Sequence, residues 1–256
     1  MIEFWLRSGT AGIVILPFVV LYPVAAFIVW LTHLSPARPF FASCVGIAGP
    51  FFASVAVLFS LFAAFLANAV ESADGQAQMA VMREADGLRT VLRLAEALGP
   101  PADGLKQATL IYAESVLRDE WPAMRGGKVI EDLDPLRALS LATLAPALVA
   151  AIPPAAHQTI LAGFVEVRQA RRERIGLAEH ASHPVNWLGV LILGVLTQVA
   201  VAVVQLDRMR PQALALFVFT TAFAATIVLI GINERPFAGR TIDDGPIRSA
   251  IASANP

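Results

Sequence analysis

Long charge-free runs alternate with a long charged one along this chain. Ser8 to Thr32, Pro39 to Val70, Pro184 to Leu206 and Pro211 to Asn233 hold no Asp, Glu, Lys or Arg over 25, 32, 23 and 23 residues. A bilayer's hydrocarbon core takes about 20 apolar residues of helix. Lipid offers backbone groups no water to bond, so each run must satisfy its own amides and carbonyls as a helix. The pattern therefore predicts four membrane-spanning helices. It divides the chain into a tail with two spans (1–70), a polar region (71–183), two further spans (184–233) and a second tail (234–256).

The polar region reads as helices separated by proline and glycine. Breaks are expected at Gly99-Pro100-Pro101, at Trp121-Pro122 through Gly126-Gly127, and at Ile152-Pro153-Pro154, because proline inside a helix costs about 3 kcal/mol or more. In the first piece Val81, Leu88, Val91, Leu92, Ala95 and Leu98 recur at helical spacing beside Arg83, Glu84, Arg89, Arg93 and Glu96, an amphipathic pattern whose apolar face needs a partner. Ala138 to Val165 again lacks Asp, Glu, Lys and Arg, but Pro146, Pro153 and Pro154 interrupt it, which suits a buried or interfacial helix better than a fifth span. Neither alternating strands nor a 20–50-residue repeat is visible in the sequence. The expected fold is an all-α membrane protein, four transmembrane helices with a helical region between them.

The second run is the unusual one. As one straight helix its 32 residues reach about 48 Å, past a hydrocarbon core of about 30 Å, so it extends beyond the bilayer or breaks, and Gly49-Pro50 is the expected break. Val57, Leu61 and Phe65 recur there at i, i+4 and i+8. Two readings stand for that stripe: a packing and lipid-facing surface, or the lining of a narrow apolar constriction. Weakly polar residues inside the runs are Ser43, Ser54, Ser60 and Asn68, then Thr197, Gln198 and Gln205, then Thr220, Thr221 and Thr226. Hydrogen bonding between helices is the expectation for them.

Composition agrees: 57% of residues are apolar and 15% charged, with a mean hydropathy of +0.66, far from what a water-soluble domain needs. The first run exceeds the 7–15-residue apolar region of a signal peptide and reads as a retained helix. Of 19 Lys and Arg, 16 fall in the two tails and the polar region, and those near the spans (Arg168, Arg171, Arg172, Arg174, Arg235 and Arg240) place both termini in the cytoplasm. The single Cys44 excludes an intrachain disulfide, and a net charge of −1 argues against a nucleic-acid partner.

Enzyme motifs are missing from the sequence: no Gly-rich phosphate loop, nucleophile elbow, paired-cysteine metal site or glutamate-flanked histidine pair, so neither catalysis nor a cofactor is expected. His180 and His183 stand three apart without a third ligand type, as ordinary polar residues at a membrane boundary do. No charged residue lies inside any run, which disfavours a proton pump or voltage sensor.

Phe65-Leu66-Ala67-Asn68-Ala69 is similar to the end of the second transmembrane helix of bestrophins, where Phe-Arg-(Thr/Asn)-Asn runs into a cytosolic helix. Ile232-Asn233-Glu234-Arg235-Pro236-Phe237-Ala238-Gly239, followed by Asp243-Asp244-Gly245-Pro246-Ile247, resembles the bestrophin run in which an acidic residue precedes Asn-Pro-Phe-Gly with further acidic residues downstream. Tyr112, Asp119-Glu120-Trp121-Pro122-Ala123-Met124 and Arg168-Arg171-Arg172 resemble a bacterial bestrophin-like group. The resemblance covers roughly Phe51 to Ile247. Bestrophins are pentameric anion channels whose second helix forms an apolar neck, and residue by residue the neck positions fall on Val57, Leu61 and Phe65.

Two departures are plain. Leu66 stands where bestrophins carry arginine, and Ser72 to Gln76 replace their aromatic Arg-Trp-Trp-Glu. Asp243 and Asp244 make a candidate cation site by resemblance, without the full acidic run; a solvated turn is the plainer reading, since calcium takes six or more oxygens.

The resemblance implies a homo-oligomer, a pentamer, in a bacterial inner membrane, passing inorganic anions of the chloride type. The alternative is a non-conducting membrane scaffold whose Arg168 to Arg174 cluster meets anionic lipid or a partner.

Overall fold

The computed structural model describes residues 5, 9–36, 38–42, 49–132, 134–179, 184–238 and 242–253. His180, His183, Ser43, Cys44, Gly239 and Arg240 lie outside the described residues. Among the described residues the regular structure is helical: α1 (Gly9–His33), α2 (Arg38–Ala42), α3 (Gly49–Leu98), a 3-10 turn (Pro100–Ala102), α4 (Asp103–Ser115), a π turn (Val116–Glu120), α5 (Trp121–Arg125), α6 (Asp134–Thr143), α7 (Pro146–Ala151), α8 (Pro154–Glu179), α9 (Pro184–Val204), α10 (Met209–Asn233) and α11 (Gly245–Ala252). They group into two compact units, one of Met1–Glu71 with Ser182–Glu234, the other of Ser72–Ala181 with Arg235–Pro256.

The first unit holds four helical segments long and apolar enough to cross a membrane, in α1, α3, α9 and α10. α3 starts at Gly49, the place named for a break in the second run, with Pro50 in its first turn, where a missing N–H would have no partner. It then continues past the end of the apolar run as one helix of 50 residues, and residues 43–48, between α2 and α3, lie outside the described residues.

Helix α10 is the hub of this unit. Tyr22 and Thr221 share a hydrogen bond at 2.8 Å, Thr32 donates to Gln212 at 3.2 Å, Gln212 donates to the Ala202 carbonyl at 2.8 Å, and Gln198 donates to Thr220 at 2.9 Å. Those bonds tie α1, α9 and α10 together where lipid supplies no competing partner. Not every weakly polar residue joins them. Ser60, Thr197 and Thr226 donate to carbonyls one turn back in their own helices, which satisfies a lone hydroxyl without a neighbour. α3 is held instead by rings, Phe59 standing edge-on to Phe223 at 5.1 Å and to Phe219 at 5.9 Å. The Phe223 ring occupies the space a β-carbon at Gly194 would need.

The second unit is a helical domain around Val81, Leu88, Val91, Tyr112, Trp121, Ile160 and Val167. The partner for the amphipathic face of α3 is α8, and the two backbones touch at a glycine pair. A β-carbon at Gly87 would lie 2.9 Å from the Gly163 carbonyl and 3.2 Å from the Val167 amide nitrogen. Ala138 to Val165 does not form a single span. It is distributed over α6, α7 and α8, with Leu139, Leu148, Ile160 and Phe164 in the core.

The break expected across Trp121-Pro122 to Gly126-Gly127 falls at its glycine end. The chain stays helical through Trp121-Pro122, passing through the π turn, and ends at Gly126. The Trp121 amide bonds the carbonyl of Val116, five residues back, so the widened turn admits Pro122 without ending the helix. The interruption expected at Pro146 falls at the residue ahead of it, Ala145, which is non-helical between α6 and α7.

Candidate functional site

Two places carry the candidate chemistry. The first is a stripe on α3. Phe59, Ala63, Leu66 and Val70 are buried, at i, i+4, i+7 and i+11, and this face packs with Trp187, Val190 and Phe223. On the other side Val57, Leu61 and Phe65 are 65%, 45% and 62% exposed. A 3.6-residue period forces this division: once one stripe packs inward, the next must face out. The exposed stripe carries no hydrogen-bonding side chain and no charge, so it offers an ion neither ligand nor counter-ion. Its chemical effect on a water-filled path would be to repel water.

Leu66 explains the first departure from the bestrophin pattern. It is 2% exposed within the apolar cluster of Trp187 and Val190, a position where an arginine would be desolvated without a partner.

The second place is a buried ion cluster in the second unit. Arg174, fully buried, donates from Nε to Glu84 Oε2 at 2.6 Å and from Nη2 to Glu84 Oε1 at 3.1 Å and Glu120 Oε2 at 2.7 Å. Its Nη1 faces the Met124 sulfur at 3.3 Å. Arg171 donates from Nε to Glu120 Oε1 at 2.8 Å and from Nη2 to the carbonyls of Ile130 and Glu131 at 2.9 and 3.2 Å. Tyr112 completes the set, its hydroxyl donating to Glu84 Oε1 at 2.6 Å. Two guanidiniums and two carboxylates neutralise one another there. Charges out of water persist only when so paired and bonded.

Electrostatics follow from that arrangement. Burial pushes the Tyr112 phenol well above its ordinary value, and the Glu84 carboxylate pushes it the same way. For Arg174 burial opposes the charge, but Glu84 and Glu120 outweigh it and hold the guanidinium protonated.

Sequence reasoning placed Arg168, Arg171, Arg172 and Arg174 in one basic cluster. The structure divides them: Arg168 and Arg172 are exposed, Arg171 and Arg174 buried. It also missed Glu84, which was read as part of a solvated face. The signal was there. Glu84 occupies the apolar stripe 81, 84, 88, 91, 95 of α3, and Arg171 and Arg174 continue the stripe 160, 164, 167 of α8, all of them buried. Charges within a buried stripe on two facing helices are the mark of an internal pair.

The two most specific stretches of the sequence meet in this unit. Trp121, from Glu120-Trp121-Pro122, receives the Phe237 ring edge-on at 5.8 Å and lies under the Arg174 guanidinium at 5.9 Å.

Asp244 precedes α11 and bonds Arg248 at 2.7 Å. That hydrogen bond holds the Asp244 carboxyl below the usual carboxylate range. The Asp243 carboxylate lies against Gly245. No three His, Cys, Asp or Glu residues cluster closely enough to hold a metal among the described residues.

Among solved structures the fold resembles a point variant of a bacterial bestrophin homologue from Klebsiella pneumoniae, with 15% identity over 94% of this chain and 96% of that one and a TM-score of 0.64. It resembles a variant of a protein described only as a membrane protein to the same degree, with 13% identity over 96% of each chain and a TM-score of 0.63. At such identities the likeness is one of fold. No curated protein matches the sequence. A model of the Bestrophin-like domain matches residues 19–241, nearly the whole of both units, and the all-helical, bestrophin-like membrane fold expected from the sequence is the one observed. On these grounds the chain belongs to the bestrophin-like family.

Proposed function

We propose that this protein is a passive ion channel, formed at the symmetry axis of a homo-oligomer and lined at its narrowest point by Val57, Leu61 and Phe65. The observation that carries this reading is the outward stripe of α3: three large apolar side chains, each between 45% and 65% exposed, opposite a fully packed face. No charged side chain lies in the apolar part of the spans, so one protomer offers no polar pathway and a conduit has to form between copies. A ring of such stripes is a hydrophobic constriction, which passes ions only when wide enough to stay wet.

The family resemblance supports a pentamer and small inorganic anions such as chloride. The distribution of Lys and Arg supports an inner-membrane protein with both termini in the cytoplasm. The pair Asp243 and Asp244 remains a candidate cation site on the same resemblance, with Asp244 already engaged by Arg248.

The test is ion flux from liposomes containing purified protein, wild type beside Phe65→Ala, with the oligomer mass measured on the same sample. A rise in chloride flux in the variant supports the constriction, and a reversal potential under a salt gradient reads the sign of the ion. Well-folded oligomers silent in both forms would remove the channel reading in favour of a scaffold.

A further inference from the structure

The second unit contains a groove of about 610 Å3 between α6, α8 and the 131–132 turn, and its charged lining is unusual. Arg137, Arg168 and Arg172 face it together with Glu131, Asp132 and Glu179. All six are exposed. Among the described residues none of the six side chains enters an ion pair or a hydrogen bond, although each has opposite charges on the same groove. Exposed ion pairs do form elsewhere in this unit, Arg83 with Glu173, Arg89 with Asp86 and Arg248 with Asp244.

The groove is also held in shape. Arg171, buried at its floor, bonds the Ile130 and Glu131 carbonyls and so fixes the turn carrying Glu131 and Asp132, while Glu120 neutralises Arg171 itself. Its floor is closed by Phe164, 6% exposed.

Three free cations and three free anions on one pre-formed groove leave it with no net charge, which a simple anion or cation would upset. A ligand bearing both signs upsets it less. Arg168 and Arg172 stand one turn apart on α8, and Arg137 comes from α6. Three guanidiniums match an oxyanion with three free oxygens better than a carboxylate with two. We infer that the groove binds a small zwitterion with a phosphate ester at one end and an ammonium at the other, an aminoalkyl phosphate of which phosphoethanolamine is the simplest. The phosphate lies among Arg137, Arg168 and Arg172, and the ammonium reaches Glu131, Asp132 and Glu179. Free, the ester offers three oxygens to the three guanidiniums; as a phospholipid headgroup the same aminoalkyl phosphate is a diester that offers two, which one guanidinium still matches bidentately.

Calorimetric titration of the full-length protein in a detergent without phosphate tests this. Phosphoethanolamine is expected to bind about tenfold or more tightly than either inorganic phosphate or ethanolamine. R168A/R172A is expected to lose about tenfold in affinity. E131Q/D132N is expected to bring phosphoethanolamine and inorganic phosphate to similar affinity. Neither pair of residues packs in the core, and an unchanged thermal midpoint and elution volume confirm folded variants. Native mass spectrometry with phosphatidylethanolamine and phosphatidylglycerol separates the sources. Selective retention of phosphatidylethanolamine, lost in R168A/R172A, without a response to the soluble compound assigns the headgroup, and a response to the soluble compound assigns the free ester. Inorganic phosphate binding as tightly as phosphoethanolamine to the wild type, or binding of neither the ester nor its lipid, overturns the inference.

Discussion

Trp121 and Phe237, 116 positions apart in the chain, meet edge to face at a ring separation of 5.8 Å and an angle of 86°. Phe237 is 2% exposed and Trp121 likewise, so this contact fastens the C-terminal segment to the helical domain that α5 belongs to. Phe237→Ala removes a buried ring whose loss costs about 3–5 kcal/mol. The thermal midpoint in detergent should fall by several degrees, and Phe237→Leu should recover most of it. An unchanged midpoint in the alanine variant would show that the C-terminal segment contributes nothing to stability.

The crossing of α3 and α8 makes an ordered prediction. A methyl at Gly87 meets backbone atoms of Gly163 and Val167, which cannot rotate away, whereas a methyl at Gly163 meets the Val91 side chain at 3.0 Å and the Gly87 carbonyl at 3.4 Å. Gly87→Ala should therefore destabilise more than Gly163→Ala, by about 1–3 kcal/mol of overpacking, read as the order of the two thermal midpoints. The reverse order would mean that the helices separate easily there.

Breaking the buried ion cluster should cost more than either. Glu84→Gln leaves Arg174 with Glu120 as its remaining carboxylate at zero exposure, and an unbalanced buried charge costs about 3–5 kcal/mol. Reduced yield of folded protein and a lower midpoint are the expected outcome. Replacing Glu84 and Arg174 together by leucine and methionine should recover part of the loss, since an apolar pair of similar volume leaves less charge unmatched.

Tyr112 gives the cluster an alkaline limit. Its phenol is held above the ordinary value of about 10 by burial and by Glu84. Above that pH the unfolded chain releases the tyrosine proton while the folded protein retains it. Stability from this group is therefore complete below about pH 10 and falls as pH rises towards the folded value. Thermal midpoints taken between pH 8 and 11 should drop more steeply for the wild type than for Tyr112→Phe. Parallel curves would show that Tyr112 is not the titrating group.

Leu66→Arg would introduce the arginine that, on the sequence resemblance, stands at this position in bestrophins. At 2% exposure among Trp187 and Val190 the arginine would be desolvated without a partner, and folded oligomer should be lost. Stable expression of the variant with wild-type elution would mean that position 66 faces a polar space.

The four spans were legible because lipid imposes one rule on every residue of a span: charges are excluded from Ser8–Thr32, Pro39–Val70, Pro184–Leu206 and Pro211–Asn233. The stripe of Val57, Leu61 and Phe65 was legible as a face, since periodicity survives in one sequence; what a face meets does not, because it depends on a second surface. The same limit hid the pairing of Glu84 with Arg174. Single residues suggest solvation for a charge, and only α3 and α8 side by side bring the two within 2.6 Å. Trp121-Pro122 misled for a local reason: proline forbids one hydrogen-bond pattern, and the π turn at Val116–Glu120 supplies another.

The hydrogen bonds of α10 also bear on how the protein is made. Tyr22 and Thr32 of α1 find their partners at Thr221 and Gln212, 199 and 180 residues further along the chain. At roughly 5–20 residues a second, α1 waits about 10–40 s in the bilayer before its partner helix leaves the ribosome. Through that interval it has to persist in lipid without that partner, a demand its charge-free composition meets. The two hydroxyls it holds in reserve then select α10 as the helix to join.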